Sequence, residues 1–183
     1  MCYNVIDKEK EGEIMNQTIG SAFVPESIKN PEKPTMVIMM GIQGSGKSEF
    51  TRRYLSENFV HISLDVVKTR TRERSLINEC LENKLNFVID NTNPQRADRA
   101  RYIPSASANS YRIVGFFMQS ILDDCIERNN RREGKAKIPA VAIAGTSNKL
   151  EMPRLSEGFD ELYFVSNKND IMEISKWRND NEF

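Results

Sequence analysis

Apolar residues in this chain fall into short unbroken runs, separated by stretches in which they recur at helical spacing. Met36-Val37-Ile38-Met39-Met40 is the longest run, with the length and continuity of a strand buried on both faces. Residues 47–57 then carry Phe50, Tyr54 and Leu55 at helical intervals, and Phe59-Val60-His61-Ile62 reads as a second strand. Over 69–84 the positions Leu76, Ile77, Cys80 and Leu81 share one helical face, and Phe87-Val88-Ile89 is a third strand. Pro94 is placed for the first position of a third helix, with a bend expected at Pro104. Residues 111–118 predict a fourth strand, and Ser120 is placed to cap a helix through Ile121, Leu122, Cys125 and Ile126. The pattern breaks over 131–138, Pro139 opens a helix to about Leu150, and Leu162-Tyr163-Phe164-Val165 is a fifth strand followed by a short amphipathic tail. Alternating strands and helices predict an α/β fold with a mostly parallel sheet of about five strands flanked by helices. Ligands of such sheets bind in the crevice at the carboxyl ends of the strands.

The first 33 residues show no such period. They are rich in Lys, Glu and Asn, with Pro25 and Pro31 toward their end, and read as a tail of low order before one domain over 34–183. Composition narrows the function classes. A formal net charge of zero gives no overall pull toward nucleic acid, so any basic surface must be local. Three cysteines without a C-x-x-C pair and the single His61 exclude a zinc site of the usual spacings and a histidine-based triad. The longest apolar run is far too short to span a bilayer, and the first twenty residues lack the apolar stretch of a signal peptide. The expectation is a cytoplasmic, reduced protein with no membrane association.

Candidate chemistry follows the first strand. Gly41-Ile42-Gln43-Gly44-Ser45-Gly46-Lys47-Ser48 fits G-x-x-x-x-G-K-[ST]. Small residues let backbone N–H groups converge on phosphate oxygens, Lys47 reaches the β and γ phosphates, and the Ser48 hydroxyl is a ligand for Mg²⁺. The loop lies between a buried strand and an amphipathic helix, as a nucleotide cradle requires. Asp90 ends the third strand, where it can hold a water on Mg²⁺; the alternative is that Asp90 belongs to the turn that Asn93 caps before Pro94. Asp65, at the carboxyl end of the second strand, is the candidate general base, its alternative being a cap for the helix that begins near Lys68. Arg128 and Arg132, four apart in a charged run with Gly134 as a hinge, predict a mobile lid over 128–138; such a run is otherwise a solvated surface.

The phosphate loop, Asp65, VIDNTNPQRADRARYI, RNNRR and the later LSEGF together resemble the kinase domain of polynucleotide kinases, which phosphorylate 5′-hydroxyl ends. The resemblance runs from about Thr35 to Val165, and its D-N-T-N-P segment is far more specific than the phosphate loop. It implies a P-loop NTPase-type sheet with a helical or looped lid, and ATP and Mg²⁺ as cofactors. By the same resemblance Lys47 and Ser48 serve as the loop lysine and serine and Asp65 as the base, while Arg128 and Arg132 clamp the donor phosphates. The basic opening for the acceptor is drawn more weakly onto Lys68, Arg96, Arg99 and Arg101. Three departures stand out. Leu64 occupies a position where many relatives carry arginine, no D-x-D-G-T phosphatase motif occurs, and Ala142 to Gly145 replaces aromatic and basic residues after the lid.

The expected function is an ATP-dependent kinase acting on the 5′-hydroxyl end of DNA or RNA. A kinase of a small-molecule or nucleoside hydroxyl is the alternative, since fold and donor site do not fix the acceptor. A nucleotide-binding protein without turnover is a third reading.

Overall fold

The apolar run forms the centre of the sheet. In the computed structural model, which describes residues 24–168 and 171–177, every residue of β1 (Thr35–Met40) is buried. β1 lies between β3 (Phe87–Ile89) and β4 (Arg112–Met118), with β2 (Val60–Ile62) outside β3. On the other side β5 (Glu161–Lys168) and β6 (Ile171–Lys176) follow β4. The first five strands pair in parallel, with Val37 opposite both Val88 and Val114. β6 returns antiparallel beside β5.

Because side chains alternate across a strand, the sheet divides the core in two. Met36, Ile38 and Met40 face one layer with Phe87, Ile89 and Phe117, and Val37 and Met39 face the other with Val88, Val114 and Phe116. The first layer is covered by α4 (Arg70–Glu82) through Ile77, Cys80 and Leu81, and by α6 (Ile103–Ala108) through Ile103 and Ala106. The second is covered by α2 (Lys47–Tyr54) through Phe50, which packs on Phe116, and by α1 (Glu26–Lys29) through Ile28. A third, smaller cluster joins Ile42 of the glycine-rich loop to Cys125 of α7 (Leu122–Asn130) and Ile143 of α8 (Ala140–Ser147). Two short α-helices complete the set among the described residues, α3 (Leu64–Val67) after β2 and α5 (Arg96–Arg99) after β3, with single 3-10 turns at Gly134–Ala136 and Leu155–Glu157. No helix among the described residues is long and apolar enough to cross a membrane.

Several expectations need correction. The amphipathic tail is a sixth strand, β6, whose Met172 closes over the core while Ile171 stays exposed. Of the expected N-terminal tail, residues 1–23 lie outside the described residues, but Val24 and Ile28 are fully buried, so an ordered turn docks ahead of residue 34. Pro94 does not open a helix. Gln95 precedes α5 and donates its backbone N–H to Asp98 (3.2 Å), and Pro104 sits in the first turn of a separate helix, α6. Asn93 is not a cap: its φ of +43° is left-handed where an N-cap is extended, and its side chain donates to Met39 O at 2.8 Å. Ser120 is not a cap either. Its hydroxyl accepts the Ile42 N–H (3.2 Å) and donates to Met118 O (2.8 Å), so it ties the glycine-rich loop to the end of β4.

Candidate active site

All the chemistry-bearing loops leave the same edge of the sheet: 41–46 after β1, 63–65 after β2, 90–95 after β3 and 119–121 after β4. Three glycines of the first loop, Gly41, Gly44 and Gly46, have φ of +138°, +83° and +101°. Gly44 has a second constraint, since a Cβ there would lie 2.2 Å from the Cys125 carbonyl oxygen of α7. Lys47 projects into the loop, its amine donating to Gly41 O (3.0 Å), Ile42 O (2.8 Å) and Ser45 Oγ (3.4 Å). Burial brings the Lys47 ammonium down to about 8. The Asp90 and Asp65 carboxylates oppose that shift, and Arg132 adds to it. Candidate residues from three different loops thus act on one amine.

Asp90 is buried beside this amine. His61 Nε2 meets its Oδ2 at 2.9 Å, while its Oδ1 is buried with no partner among the described residues. The pairing follows from strand register: His61 lies opposite Val88, and Asp90 is two residues on, on the same face. Asp90 caps no helix. Its orphan oxygen and the exposed Ser48 hydroxyl at the start of α2 are hard oxygen donors, a set that fits Mg²⁺.

Asp65 lies in the first turn of α3 and is exposed. It is not the cap of the following helix, since Thr69 fills that role by accepting the Arg72 N–H. Its turn is held from two sides. Ser63 Oγ accepts the Asp65 N–H (3.3 Å), and Asn91 Oδ1 accepts the Leu64 N–H (2.9 Å). Asn91 is itself fixed by donating to Glu73 Oε1 (2.7 Å), the oxygen that also accepts from Tyr102 OH (3.1 Å). Arg70 Nη1 then donates to Glu73 Oε2 and Tyr102 OH, both at 2.7 Å. Burial, with the Glu73 carboxylate beside it, raises the Tyr102 phenol above its ordinary value, so it stays a donor. A polar core thus stands behind the base-bearing turn.

On the lid side, Arg128 Nε donates to Gly44 O (2.7 Å) and its Nη1 to Asn167 O (3.4 Å). α7 ends at Asn130, so Arg132 lies beyond the helix and does not share a helical face with Arg128. Both arginines nevertheless line one cavity of about 240 Å³ with Gly44, Gly46, Asn167 and Met172. The segment after α7 is pinned at its base by a reciprocal pair: Asn129 Nδ2 donates to Ile138 O (2.8 Å) and Ile138 N to Asn129 Oδ1 (3.0 Å). Gly134, at the middle of that loop, has nothing within 4 Å of an added Cβ.

The residues expected on the acceptor path separate. Lys68 and Arg96 are exposed, and Lys68 donates to Asp65 O. Arg101 is exposed and lies 3.3 Å from Asp98. Arg99 is a correction: it is fully enclosed, pairing with Glu157 through Nε (2.7 Å) and Nη2 (2.8 Å) and donating to Asn93 O, Pro94 O and Glu151 O. It stitches the loop after β3 to the Leu155–Glu157 turn and presents no donor to an acceptor. Sequence reasoning missed His61, Asn91, Asn167 and Met172 as parts of the site. His61 and Asn91 leave a signal in strand period and in the D-N-T-N segment; Asn167 and Met172 leave none, because Asn167 lies where β5 runs on past its apolar run and Met172 on the unforeseen β6.

Comparison with known proteins agrees with this geometry. A family profile described as "AAA domain" matches residues 36–153. A protein of Acanthamoeba polyphaga mimivirus, assigned as a bifunctional polynucleotide phosphatase/kinase, is 30% identical over 91% of this chain. The bifunctional polynucleotide phosphatase/kinase of Schizosaccharomyces pombe is 26% identical over 76% of it. The chain spans 41% and 35% of the lengths of these two relatives. Among solved structures, a gluconokinase from Sinorhizobium meliloti 1021 superposes with a TM-score of 0.53 at 19% identity, over 73% of this chain and 82% of its own. The family match, the parallel sheet and the glycine-rich loop after its central strand agree, and the chain belongs to the AAA-domain family, as a P-loop kinase domain with relatives among the polynucleotide phosphatase/kinases.

Proposed function

We propose that this domain transfers the γ-phosphate of ATP to the 5′-hydroxyl end of a polynucleotide. The observation that carries the reading is that the loops bearing Lys47, Asp65 and Asp90 leave one edge of the parallel sheet, with the Lys47 amine held inside the glycine-rich cradle by Gly41 O and Ile42 O. The relatives named as polynucleotide phosphatase/kinases support the choice of acceptor. In this scheme the loop N–H groups and Lys47 hold the β and γ phosphates. Ser48 and Asp90 would hold Mg²⁺, which would supply further positive charge to those phosphates. Asp65 takes the proton of the acceptor hydroxyl, whose oxygen bonds to the γ-phosphorus as the bridge to ADP breaks. Arg128 and Arg132 neutralise charge on the moving phosphoryl group, a contribution of about 10³-fold or more for one such arginine.

A short 5′-hydroxyl oligonucleotide incubated with γ-labelled ATP should become labelled, and Asp65→Asn and Lys47→Ala should each abolish labelling. ATP turnover without labelled oligonucleotide would favour the second reading, a small hydroxyl acceptor. That reading draws on Leu64, which puts no cation immediately before Asp65, and on the fold shared with a gluconokinase.

A further inference from the structure

β2 is the edge strand of the described sheet, and it runs straight into the turn that carries Asp65. It also holds Asp90, through backbone and side chain alike. The Asp90 N–H donates to Ile62 O (2.8 Å), and the Asp90 carboxylate meets the ring of His61, the only histidine of the chain, at 2.9 Å. A carboxylate oxygen only accepts, so Nε2 is the donor; that nitrogen carries its hydrogen in the imidazolium and in one neutral form of the ring alike. The bond therefore does not depend on the charge of the histidine. Burial across it is lopsided: the Asp90 side chain is 2% exposed and that of His61 40%. So open a ring adds little to the core, and its distinctive contribution is one N–H directed at a buried anion. Of the two Asp90 oxygens, Oδ2 takes that N–H, while Oδ1 is buried with no hydrogen-bond partner among the described residues. The Asp90 charge also acts on the Lys47 ammonium inside the phosphate cradle.

We propose that His61 is a positioning residue, whose Nε2–H fixes the Asp90 carboxylate so that Oδ1, and not Oδ2, is left for the Mg²⁺ side of the cradle. The proposal rests on the metal part of the reading above and deepens it, and it holds whichever hydroxyl receives the phosphoryl group. Its basis is torsional. The terminal torsion of an aspartate is broad and roughly two-fold, so a free carboxylate offers either oxygen in many directions. A hydrogen bond from a ring carried on a paired strand removes that freedom, and a partner of this kind behind a metal ligand is typically worth about 10–100-fold in metal affinity or activity. Without the N–H, neither Asp90 oxygen has a hydrogen-bond partner among the described residues, and the Lys47 ammonium is free to draw the carboxylate away from the metal. The loss would fall on Mg²⁺ and leave the backbone cradle for the phosphates as it is. Because His61 lies on the strand that ends in the Asp65 turn, the metal-side carboxylate and the base both take their positions from β2.

The test measures the metal apart from turnover. Isothermal titration with ADP is run once with Mg²⁺ and once with EDTA, and the ratio of the two affinities is the gain that the metal supplies. The parent is compared with His61→Leu, which fills the space without a donor, and with His61→Gln, whose amide N–H reaches to the place of Nε2. His61→Leu should cut the Mg²⁺ gain about tenfold and leave the affinity in EDTA unchanged, and His61→Gln should recover most of the gain. Added to Asp90→Ala, His61→Leu should change nothing further, because the N–H then has no carboxylate to hold. A histidine that serves only the fold gives other results: equal losses with and without Mg²⁺, a His61→Gln variant as poor as His61→Leu, or a further loss on top of Asp90→Ala. Any of these would overturn the proposal. No Mg²⁺ gain in the parent, or a gain that survives Asp90→Ala, would remove the metal from Asp90 and the proposal with it. If the parent labels oligonucleotides while His61→Leu keeps the full gain, the positioning role falls and the kinase reading stands. If the gain depends on His61 but no oligonucleotide is labelled, the acceptor reading falls and His61 keeps its role.

Discussion

At the scale of single residues, two polar side chains near the site have opposite duties. Asn91 touches the base-bearing turn through one hydrogen bond and the Glu73–Tyr102 pair through two others. Asn91→Ala frees the Leu64 N–H and lets the Asp65 turn wander, while the phosphate loop keeps its own contacts. The expected result is a fall in kcat of about 10²-fold, the scale of a misplaced catalytic group, with the KM for ATP nearly unchanged. Steady-state kinetics with ATP varied at fixed acceptor would check this, and a large rise in the ATP KM would contradict it. Arg99 works for the fold instead. Removing it takes the cation from the buried Glu157 carboxylate, which keeps only the Arg154 N–H among the described residues, and takes a donor from the Asn93, Pro94 and Glu151 carbonyls. Arg99→Ala should cost about 3–5 kcal/mol, read as a shift of the urea midpoint.

At the scale of elements, the glycine-rich loop and α7 form one unit, joined by the Gly44–Cys125 approach and by Arg128 on Gly44 O. Gly44→Ala would need a left-handed alanine whose Cβ overlaps the Cys125 carbonyl, so α7 would have to move away from the loop. The expected outcome is loss of nucleotide binding in a protein whose far-UV spectrum is unchanged; isothermal titration with ATP would show it. The Asn129–Ile138 clamp makes a separate prediction for the segment between them. Asn129→Ala deprives the Ile138 N–H and carbonyl of their partners, at a cost of about 1–3 kcal/mol if those groups stay dry. Limited proteolysis should then cut within 130–138 faster than in the parent. Legibility in the sequence divides along the same lines. β1, the loop and Lys47 could be read because their signals are local: an unbroken apolar run, then small residues at fixed spacing. β6 could not, because its Met172 and Ile174 pack only once β5 has been laid beside it, and a strand defined by its partner shows little period of its own. Arg99 was misread for a related reason. An arginine on a short helix is ordinarily solvated, and only the return of Glu151 and Glu157 from more than fifty residues away encloses it.

At the scale of the whole molecule, the sheet order brings four strand ends to one edge, so the cradle, the Asp65 turn and Asp90 depend on the register of a single central strand. Two cysteines report on whether this assembly opens in parts or as one. Cys80 points from α4 into the core layer, and burial pushes its thiol up to about 11; Cys125 points from α7 against the loop, and burial raises its thiol as well. A raised thiol pKa lowers the reactive thiolate fraction at neutral pH, so neither should react with an alkylating reagent at pH 7.5 while the fold is closed. The contacts that bind α7 to the loop imply that Cys125 becomes reactive only when the sheet opens too. In a Cys2→Ser background the two sites should therefore be labelled at the same slow rate, resolved by peptide mass spectrometry. ATP at 100 times its Kd stabilises only the folded form, by about 2.7 kcal/mol, and should slow both sites by about 100-fold. Labelling of Cys125 well ahead of Cys80 would show that α7 lifts from the cradle on its own, and nucleotide would then protect Cys125 through the lid and not through the fold.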